Sequence, residues 1–494
     1  MTSTYDVDAL VIGGGAAGLT AAGIAANFGA RTALVEAGRL GGDCTWTGCV
    51  PSKTLLHAAR SIERMREAVR SGWIELQDEP QVRFGKIVDH VHRVREEIYE
   101  EADHPRHFEA LGIEVIRGEA AFTGPYAVEI RTPEGEVRCL SARYIFICTG
   151  SEPLLPPVEG LEAVDPLTSD TLFESRELPG RLAVIGGGPV GCEMAQAFRR
   201  LGSEVSLLEQ QDDILAGDDP EFSSVLARRL ASEGVDLRRG AAVEGVAPGR
   251  EGEVLLRLEG GGELKADRLL VAAGRSARTK TLNLEAAGVD YGPKGIKVGE
   301  RCRTSISHIY ACGDVTGEYQ FTHMSEHMAK VAVTHALLKL PMKMDRKHVP
   351  HVTFTEPEVG QVGPTEAELL RRGETFEVYR FPYSKVDRAL TESAGEGLIK
   401  VCAKEWSGTI LGAGAAGVAA GEIVSEYALA KKNGISLRQM ADTIHPYPTY
   451  GLGARRAADQ WYIRNQSEWQ VKLLKKLFGY RGEVPDFSDP DRIV

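Results

Sequence analysis

The strongest constraint on how this chain folds is a segment that occurs twice, 173 positions apart. The apolar run Asp8–Ile12 leads into Gly13-Gly14-Gly15-Ala16-Ala17-Gly18 and a helical stretch to about Phe28. Gly29 breaks that helix, and Thr32–Val35 reads as a strand ending on Glu36 and Ala37. Arg181–Ile185 leads in the same way into Gly186-Gly187-Gly188-Pro189-Val190-Gly191, a helix to Leu201, a break at Gly202, and Val205–Leu208 ending on Glu209. Strand, glycine turn, helix and acid-tipped strand predict two βαβ dinucleotide-binding units. The first glycine makes the tight turn, the second lets a pyrophosphate approach the backbone, and the third lets helix pack on strand. The pyrophosphate sits on the helix N-terminus, where free N–H groups favour an anion. Two units predict two nucleotides, most economically one tightly held flavin and one exchangeable nicotinamide.

Glu209 bears on which nicotinamide. A carboxylate there repels the 2′-phosphate of NADP, and Gln210 to Leu215 contain no Arg or Lys to receive it. NAD(H) is therefore favoured over NADP(H).

At 494 residues the chain is long enough for about three domains. Glycine, 55 residues, exceeds the usual ~7% and points to turns and close backbone approaches. The net charge of −12 speaks against nucleic acid and against anionic membrane surfaces as partners. Apolar runs such as Ala413–Ala420 are far shorter than the ~18–20 residues that span a bilayer. Met1–Asp8 lacks the pattern of a signal peptide. Six of the eight cysteines are scattered singly, and their default reading is small buried apolar residues. A cytoplasmic, reducing compartment is the expectation.

The remaining two cysteines lie in Gly41-Gly42-Asp43-Cys44-Thr45-Trp46-Thr47-Gly48-Cys49-Val50-Pro51-Ser52-Lys53. This spacing suits neither a zinc ribbon nor a thioredoxin-type pair. Residues five apart on a regular helix lie roughly 140° apart at ~100° per residue. A disulfide there needs a distorted first turn, which Gly48 permits. A thiol in a first helical turn has a lowered pKa, so the pair is a candidate redox site. Two unlinked buried cysteines are the alternative.

With these segments in place, the chain resembles the class I pyridine nucleotide–disulfide oxidoreductases, the flavoenzymes that include dihydrolipoamide dehydrogenase, glutathione reductase and mercuric reductase. The likeness covers about residues 6 to 462. It rests on the Cys44–Lys53 segment, on Gly186–Glu193, and on Tyr310-Ala311-Cys312-Gly313-Asp314. Cys148-Thr149-Gly150, Ala273-Gly274-Arg275 and Phe354–Gly360 resemble further family motifs. The resemblance implies an α/β fold with two Rossmann-like domains, for FAD and NAD(P), and a C-terminal α+β dimerisation domain. The implied boundaries are FAD domain 1–152 and 276–345, NAD(P) domain 153–275, interface domain 346–465 and a C-terminal extension 466–494.

It also implies site residues. FAD would be held by Gly13, Gly15, Ala16, Ala17, Gly18, Glu36, Ala37, Gly42, Asp43, Gly48, Lys53, Glu119, Ala120, Thr149, Gly150, Arg275, Gly313, Asp314, Phe321, Thr322 and His323. NAD(H) would be held by Gly186, Gly188, Val190, Gly191, Glu193, Glu209 and Gly274. Electrons would pass from the nicotinamide through the flavin to a Cys44–Cys49 disulfide, with Cys49 the flavin-side thiolate and Cys44 the exchanging thiol. Lys53 and Glu193 would pair near the flavin. The helix opened by Phe321-Thr322-His323 would aim its N-terminus at the flavin. His323 and His327 stand four apart, but no metal site is expected. A homodimer with a shared active site is expected.

The chain departs from the family where disulfide-reducing members carry an H-P-T-x-x-E segment. Here the segment reads Ile444-His445-Pro446-Tyr447-Pro448-Thr449-Tyr450-Gly451-Leu452. One register puts Tyr447 in the histidine place and Leu452 in the glutamate place. The other puts His445 in the histidine place and Tyr450 in the glutamate place. In neither does a carboxylate orient the base, and a tyrosine of pKa ~10 is a poor base at neutral pH. Mercuric reductase shows a Tyr there, but delivers metal through a C-terminal cysteine pair, and no cysteine follows Cys402. The expectation is a dihydrolipoamide-dehydrogenase-like disulfide or dithiol oxidoreductase. The alternatives are reduction of a soft metal ion, Hg(II) or Cu(II), and a redox-sensing flavoprotein with little turnover.

Overall fold

The computed structural model describes residues 5–78 and 80–486. The acidic, loose tail expected over Pro485–Val494 lies outside the described residues from 487 onward. The chain forms two compact units, one of residues 1–210 and 241–345, the other of 211–240 and 346–494.

In the first unit β1 (Val7–Ile12), helix α1 (Ala16–Asn27) and β2 (Thr32–Glu36) make the first βαβ turn. β1 lies parallel between β2 and the strand Val137–Ile147, and the strands Glu114–Arg117 and Ile309–Ala311 extend the parallel array at its two sides. Every residue of β1 except Asp8 is buried, as a central parallel strand covered on both faces requires. The second repeat forms a separate parallel sheet in which Arg181–Ile185 lies between Glu204–Glu209 and Arg268–Val271. An antiparallel meander, Val243–Pro248, Val254–Leu258 and Glu263–Ala266, packs its own apolar cluster against this sheet. The short strands Ser151–Pro153 and Arg275–Ala277 pair antiparallel, so the two crossings between the nucleotide-binding sheets run side by side. The two Rossmann-like units are thus present.

The second unit is α+β. Its antiparallel sheet runs Pro350–Thr353, Glu358–Val362, Ile410–Gly417, Leu398–Ala403, Glu377–Pro382. The strand Ile410–Gly417, sequence ILGAGAAG, is small-residue throughout its second half. A Cβ at Gly417 would stand 2.1 Å from the ring of Tyr383, and one at Gly414 2.3 Å from the ring of Phe222. The missing side chains leave room for aromatic rings against the backbone. The helices Ala420–Lys432 and Gly451–Arg464 supply the apolar residues that complete this core.

The second unit includes the segment 211–240. Buried charge ties its helix to that unit's sheet. Lys400, only 5% exposed, bonds Asp219 at 2.7 Å, Glu221 at 2.6 Å and Glu366 at 2.7 Å. Asp219 and Glu221 open the helix Pro220–Ser232, whose Phe222 fills the space over Gly414.

Candidate active site

The two glycine turns are built alike. Gly13 has φ 102° and Gly186 φ 109°, left-handed angles that glycine reaches without strain. A Cβ at Gly18 would stand 1.7 Å from the carbonyl oxygen of Gly13, and one at Gly191 1.8 Å from that of Gly186. Helix therefore touches turn backbone to backbone. Gly15 and Gly188 are the caps of helices whose first turns are Ala16-Ala17-Gly18 and Pro189-Val190-Gly191, with Val190 exposed. The Gly14 N–H donates to Glu36 at 2.6 Å, and the Gly187 N–H donates to Glu209 at 2.6 Å. Each terminal carboxylate thus fastens its own turn. Gly118 N–H donates to the Glu36 carbonyl at 2.9 Å, which brings Glu119 and the buried Ala120 beside the end of β2, next to Ala37. On the opposite side, Cys148 N–H donates to Ile12 at 2.7 Å and the Thr149 hydroxyl donates to Arg278 at 2.8 Å. Gly150 and Gly274 both sit at positive φ, 70° and 116°.

The cysteine segment bends as its glycine permits. Cys44 lies in the short helix α2 (Gly42–Trp46), and Cys49 is the first residue of α3 (Cys49–Arg70). A Cβ at Gly48 would meet the carbonyl oxygen of Asp43 at 2.8 Å, so only glycine fits the fold between them. Both cysteines are reduced, Cys44 half-buried and Cys49 exposed. Hydrogen bonding from the Cys44 thiol pulls Cys49 down to about 6, aided by the Thr322 hydroxyl and the Lys53 charge against opposing burial. Cys44 is pushed well above the usual thiol range by that same bond and by burial. The pair therefore holds one proton at neutral pH, carried on Cys44, with Cys49 the thiolate.

Thr322 Oγ1 lies 3.3 Å from Cys49 Sγ. It opens the helix Thr322–Leu338 behind Phe321, whose ring stacks on His323 at 5.4 Å. The helix thus presents its positive end to the thiolate. His327 is used structurally, accepting the Asp345 N–H at 2.9 Å. Lys53 of α3 bonds both oxygens of Glu193 at 2.9 and 3.2 Å. Glu193 is buried in the helix Pro189–Leu201, so the pair ties the thiol helix to the second nucleotide turn.

A polar cluster lies under the first turn, and sequence reasoning found only part of it. Arg275 bonds the Asp43 carboxylate, the Ser151 hydroxyl at 2.7 Å and the Ser169 hydroxyl at 3.0 Å. Ser151 in turn donates to Asp314 at 2.7 Å. Asp314 follows Gly313, whose φ is 79°. Burial holds the carboxyl groups of Asp43 and Asp314 above their ordinary range, against the opposing pull of Arg275. Arg278 adds contacts to Asp43 at 3.6 Å and Asp170 at 3.5 Å. Ser151, Ser169, Asp170 and Arg278 carry no motif signal. They are reached only when the strands Ser151–Pro153 and Arg275–Ala277 pair.

The donor set and shape fit FAD. Gly15 and Gly42 leave a cradle in which a Cβ on Gly42 would stand 2.6 Å from the Gly15 Cα. The Thr47 hydroxyl, inside the cysteine segment, is buried without a hydrogen-bond partner.

In the second unit His445 corrects the expectation that no carboxylate orients it. Its Nε2 lies 2.8 Å from Glu426, which comes from the preceding helix Ala420–Lys432 rather than from the same segment. Its Nδ1 lies 3.0 Å from the Thr443 carbonyl. Thr443 and Glu426 thus engage both ring nitrogens from within the chain. Tyr447 is 70% exposed. The carboxylate of Asp387 facing its hydroxyl raises the phenol above its ordinary range. Tyr450 donates to Glu392 at 2.6 Å, and Leu452 is buried, so neither acts as an orienting acid.

Residues 7–330 match the family model described as pyridine nucleotide-disulphide oxidoreductase, and residues 349–457 match its dimerisation domain. The chain belongs to the pyridine nucleotide–disulfide oxidoreductase family. This flavin-dependent oxidoreductase is 36% identical over 463 residues to a dihydrolipoyl dehydrogenase of Thermus scotoductus, covering 92% of this chain and 97% of that one. It is 34% identical over 458 residues to a mercuric reductase of Lysinibacillus sphaericus, covering 91% and 82%. Among solved structures the oxidoreductase is similar to the Cu(II) complex of the HOCl-induced flavoprotein disulfide reductase RclA from Escherichia coli. That likeness has TM-score 0.82 and 28% identity, over 93% of this chain and 99% of that one.

Proposed function

We propose that this oxidoreductase uses NADH to reduce a thiophilic acceptor at Cys44–Cys49, a soft metal ion such as Hg(II) or Cu(II). The observation that supports this reading is how the segment around Tyr447 is engaged. Asp387 raises the phenol above its ordinary range, and both ring nitrogens of His445 meet groups of the chain itself. Thiol–disulfide exchange needs a group that takes and returns a proton on the substrate sulfur. A soft metal ion needs only sulfur ligands and electrons. Two electrons from NADH reduce one Hg(II) to Hg(0), or two Cu(II) to Cu(I), with NAD⁺ and a proton released.

In this reading residues 1–152 with 276–345 bind FAD, 153–275 bind NAD(H), 346–465 form the subunit interface and 466–494 extend beyond it. The Gly13–Gly18 turn and Glu36 would hold the FAD pyrophosphate and ribose, with Asp314 and Arg275 on the chain between its rings. Bound there, FAD would carry the nicotinamide's electron pair to the sulfur atoms. Cys49 keeps the negative charge, and Cys44, the sulfur that meets the acceptor, would release its proton to solvent as it ligates the metal ion as thiolate. Lys53 supplies a fixed positive charge, and Glu193 holds it in place. Glu209 accepts a ribose hydroxyl and disfavours a 2′-phosphate, which favours NADH over NADPH. The protein would act as a homodimer in which the Tyr447 segment completes the partner's site.

A second reading, reduction or oxidation of a lipoyl-like disulfide or dithiol, is favoured by the proton split between Cys44 and Cys49. Steady-state NADH oxidation with Hg(II), Cu(II) and lipoamide in parallel separates the two. The metal reading expects metal-dependent turnover lost in Cys44→Ser and Cys49→Ser, with lipoamide at least ~100-fold slower. Faster turnover of lipoamide reverses the assignment. Turnover with none of them leaves the redox-sensing reading.

A further inference from the structure

We infer that the helix Glu468–Phe478 is an interfacial anchor that docks this protein on an anionic membrane surface. The helix lies beyond residue 457, where the dimerisation-domain match ends. It has 11 residues, and none of them is buried. Isolated helices shorter than ~12–15 residues are marginal in water, and most helices gain their stability by burying an apolar face. This one has clear stops: the Ser467 N–H donates to Gln470 at 2.8 Å, and Gly479 closes the other end at φ 70°. It is built to present a face.

That face is apolar and wide. At ~100° per residue, Trp469, Val471, Leu473, Leu474, Leu477 and Phe478 fall within an arc of about 200°, interrupted by Gln470. Trp469 is 64% exposed, Leu477 65% and Phe478 64%. Tyr480 extends the patch just past the helix and is also exposed. Contiguous apolar surface of this kind marks a docking site rather than ordinary surface variation.

The opposite arc identifies the occupant. Lys472, Lys475 and Lys476 share it, and Arg481 follows. Across Glu468–Arg481 four basic residues face one acid, Glu468, which bridges Lys472. The whole chain carries −12, and that negative charge speaks against an anionic surface for the molecule as a whole. Screening confines such charge effects to about 8–10 Å at physiological salt, so the local basic arc decides. Aromatic and leucine residues on one face with lysines on the other is the pattern of a helix lying in the headgroup region, its lysine stems reaching up to the lipid phosphates. No helix among the described residues is long and apolar enough to cross a membrane, so the association is peripheral.

The test uses the full-length flavin-loaded protein in flotation with vesicles of pure phosphatidylcholine and of phosphatidylcholine with 40% phosphatidylglycerol. The expected result is co-flotation with the anionic vesicles, at least tenfold stronger than with the neutral ones, and weakened by salt. Leu474→Glu/Leu477→Glu and Lys475→Glu/Lys476→Glu should each cut binding at least tenfold, with unchanged sedimentation and NADH oxidation. A blue shift of emission on binding should vanish in Trp469→Phe. No co-flotation with anionic vesicles overturns the proposal. So does dissociation of the Leu474→Glu/Leu477→Glu variant into monomers, which would make the helix a contact between subunits.

Discussion

The imidazole of His445 and the carboxylate of Glu426 meet at 2.8 Å across 19 residues of sequence. His445 is almost enclosed, with a side-chain exposure of 9%, and its other nitrogen faces the Thr443 carbonyl. The bond therefore fastens the segment that carries Tyr447 to the helix Ala420–Lys432. Charge-assisted hydrogen bonds contribute about 1.5–3 kcal/mol, and Glu426 is partly exposed, so the figure here is about 1–2 kcal/mol. His445→Ala and Glu426→Ala should each lower stability by that amount, and the double variant by little more than either. The pH profile of kcat with a metal acceptor should not move. A base would show itself instead as a loss of about 10²–10⁴ in kcat and a lost limb of the profile.

What sequence could reach follows from what each feature needs. Gly13 and Gly186 are legible because a tight turn at positive φ demands glycine in a fixed order with strand and helix. Gly48 is legible because the two cysteines need a distorted turn between them, where a Cβ would meet the Asp43 carbonyl at 2.8 Å, and the Lys53–Glu193 pair through motif resemblance. Arg275 and Asp43 stand 232 residues apart, and only the pairing of the two crossing strands makes them neighbours. Glu426 was missed because the orienting acid was sought inside the His445 segment, whereas it arrives from another helix. The tie between Lys400 and Asp219 is not legible for the same kind of reason, since the two stand 181 residues apart. The segregation of apolar and basic residues over Glu468–Phe478 is visible in the sequence, yet only their exposure gives it meaning.

The Cys44–Cys49 pair should titrate as a unit. Cys49, pulled down to about 6, carries the charge at neutral pH. Alkylation of the reduced enzyme by iodoacetamide should therefore label Cys49 first, with a rate that falls as pH drops through about 6. Cys44→Ala removes the thiol that donates to Cys49, so the midpoint should move up. Turnover of the wild-type enzyme should fall over the same acid range. Preferential labelling of Cys44 at pH 7 would reverse the assignment of the two sulfurs.

The charge network at Lys400 makes a prediction about stability. Removing one member of a buried pair leaves a carboxylate without its counter-charge, at about 3–5 kcal/mol. Asp219 is as buried as Lys400, so Lys400→Met should cost about 3 kcal/mol at pH 7, read as a lowered first thermal transition. Glu221 is held at about 2, chiefly by Arg380 and also by Lys400. Its folded value lies below the unfolded ~4.3, so its contribution is complete above that pH and is lost as pH falls toward 2. Wild type should therefore lose stability in that acid range more steeply than Lys400→Met. Equal acid limbs in the two proteins would remove Glu221 from the network.

The duplicated turn allows its two sites to be separated. Gly191→Ala places a methyl group against the Gly186 carbonyl, where a Cβ has only 1.8 Å, while Gly13–Gly18 is untouched. The variant should purify with its flavin, and NADH should reduce it at least ~100-fold more slowly. Gly18→Ala makes the same clash at the first turn, 1.7 Å from the Gly13 carbonyl, and should yield protein without flavin. Glu209 joins the two arguments, because its carboxylate fastens Gly187 at 2.6 Å and, in the proposed reading, would take the ribose. Glu209→Ala should raise the KM for NADH and narrow its advantage over NADPH, with flavin content unchanged. Flavin loss in Gly191→Ala with NADH reduction intact in Gly18→Ala would exchange the roles of the two turns.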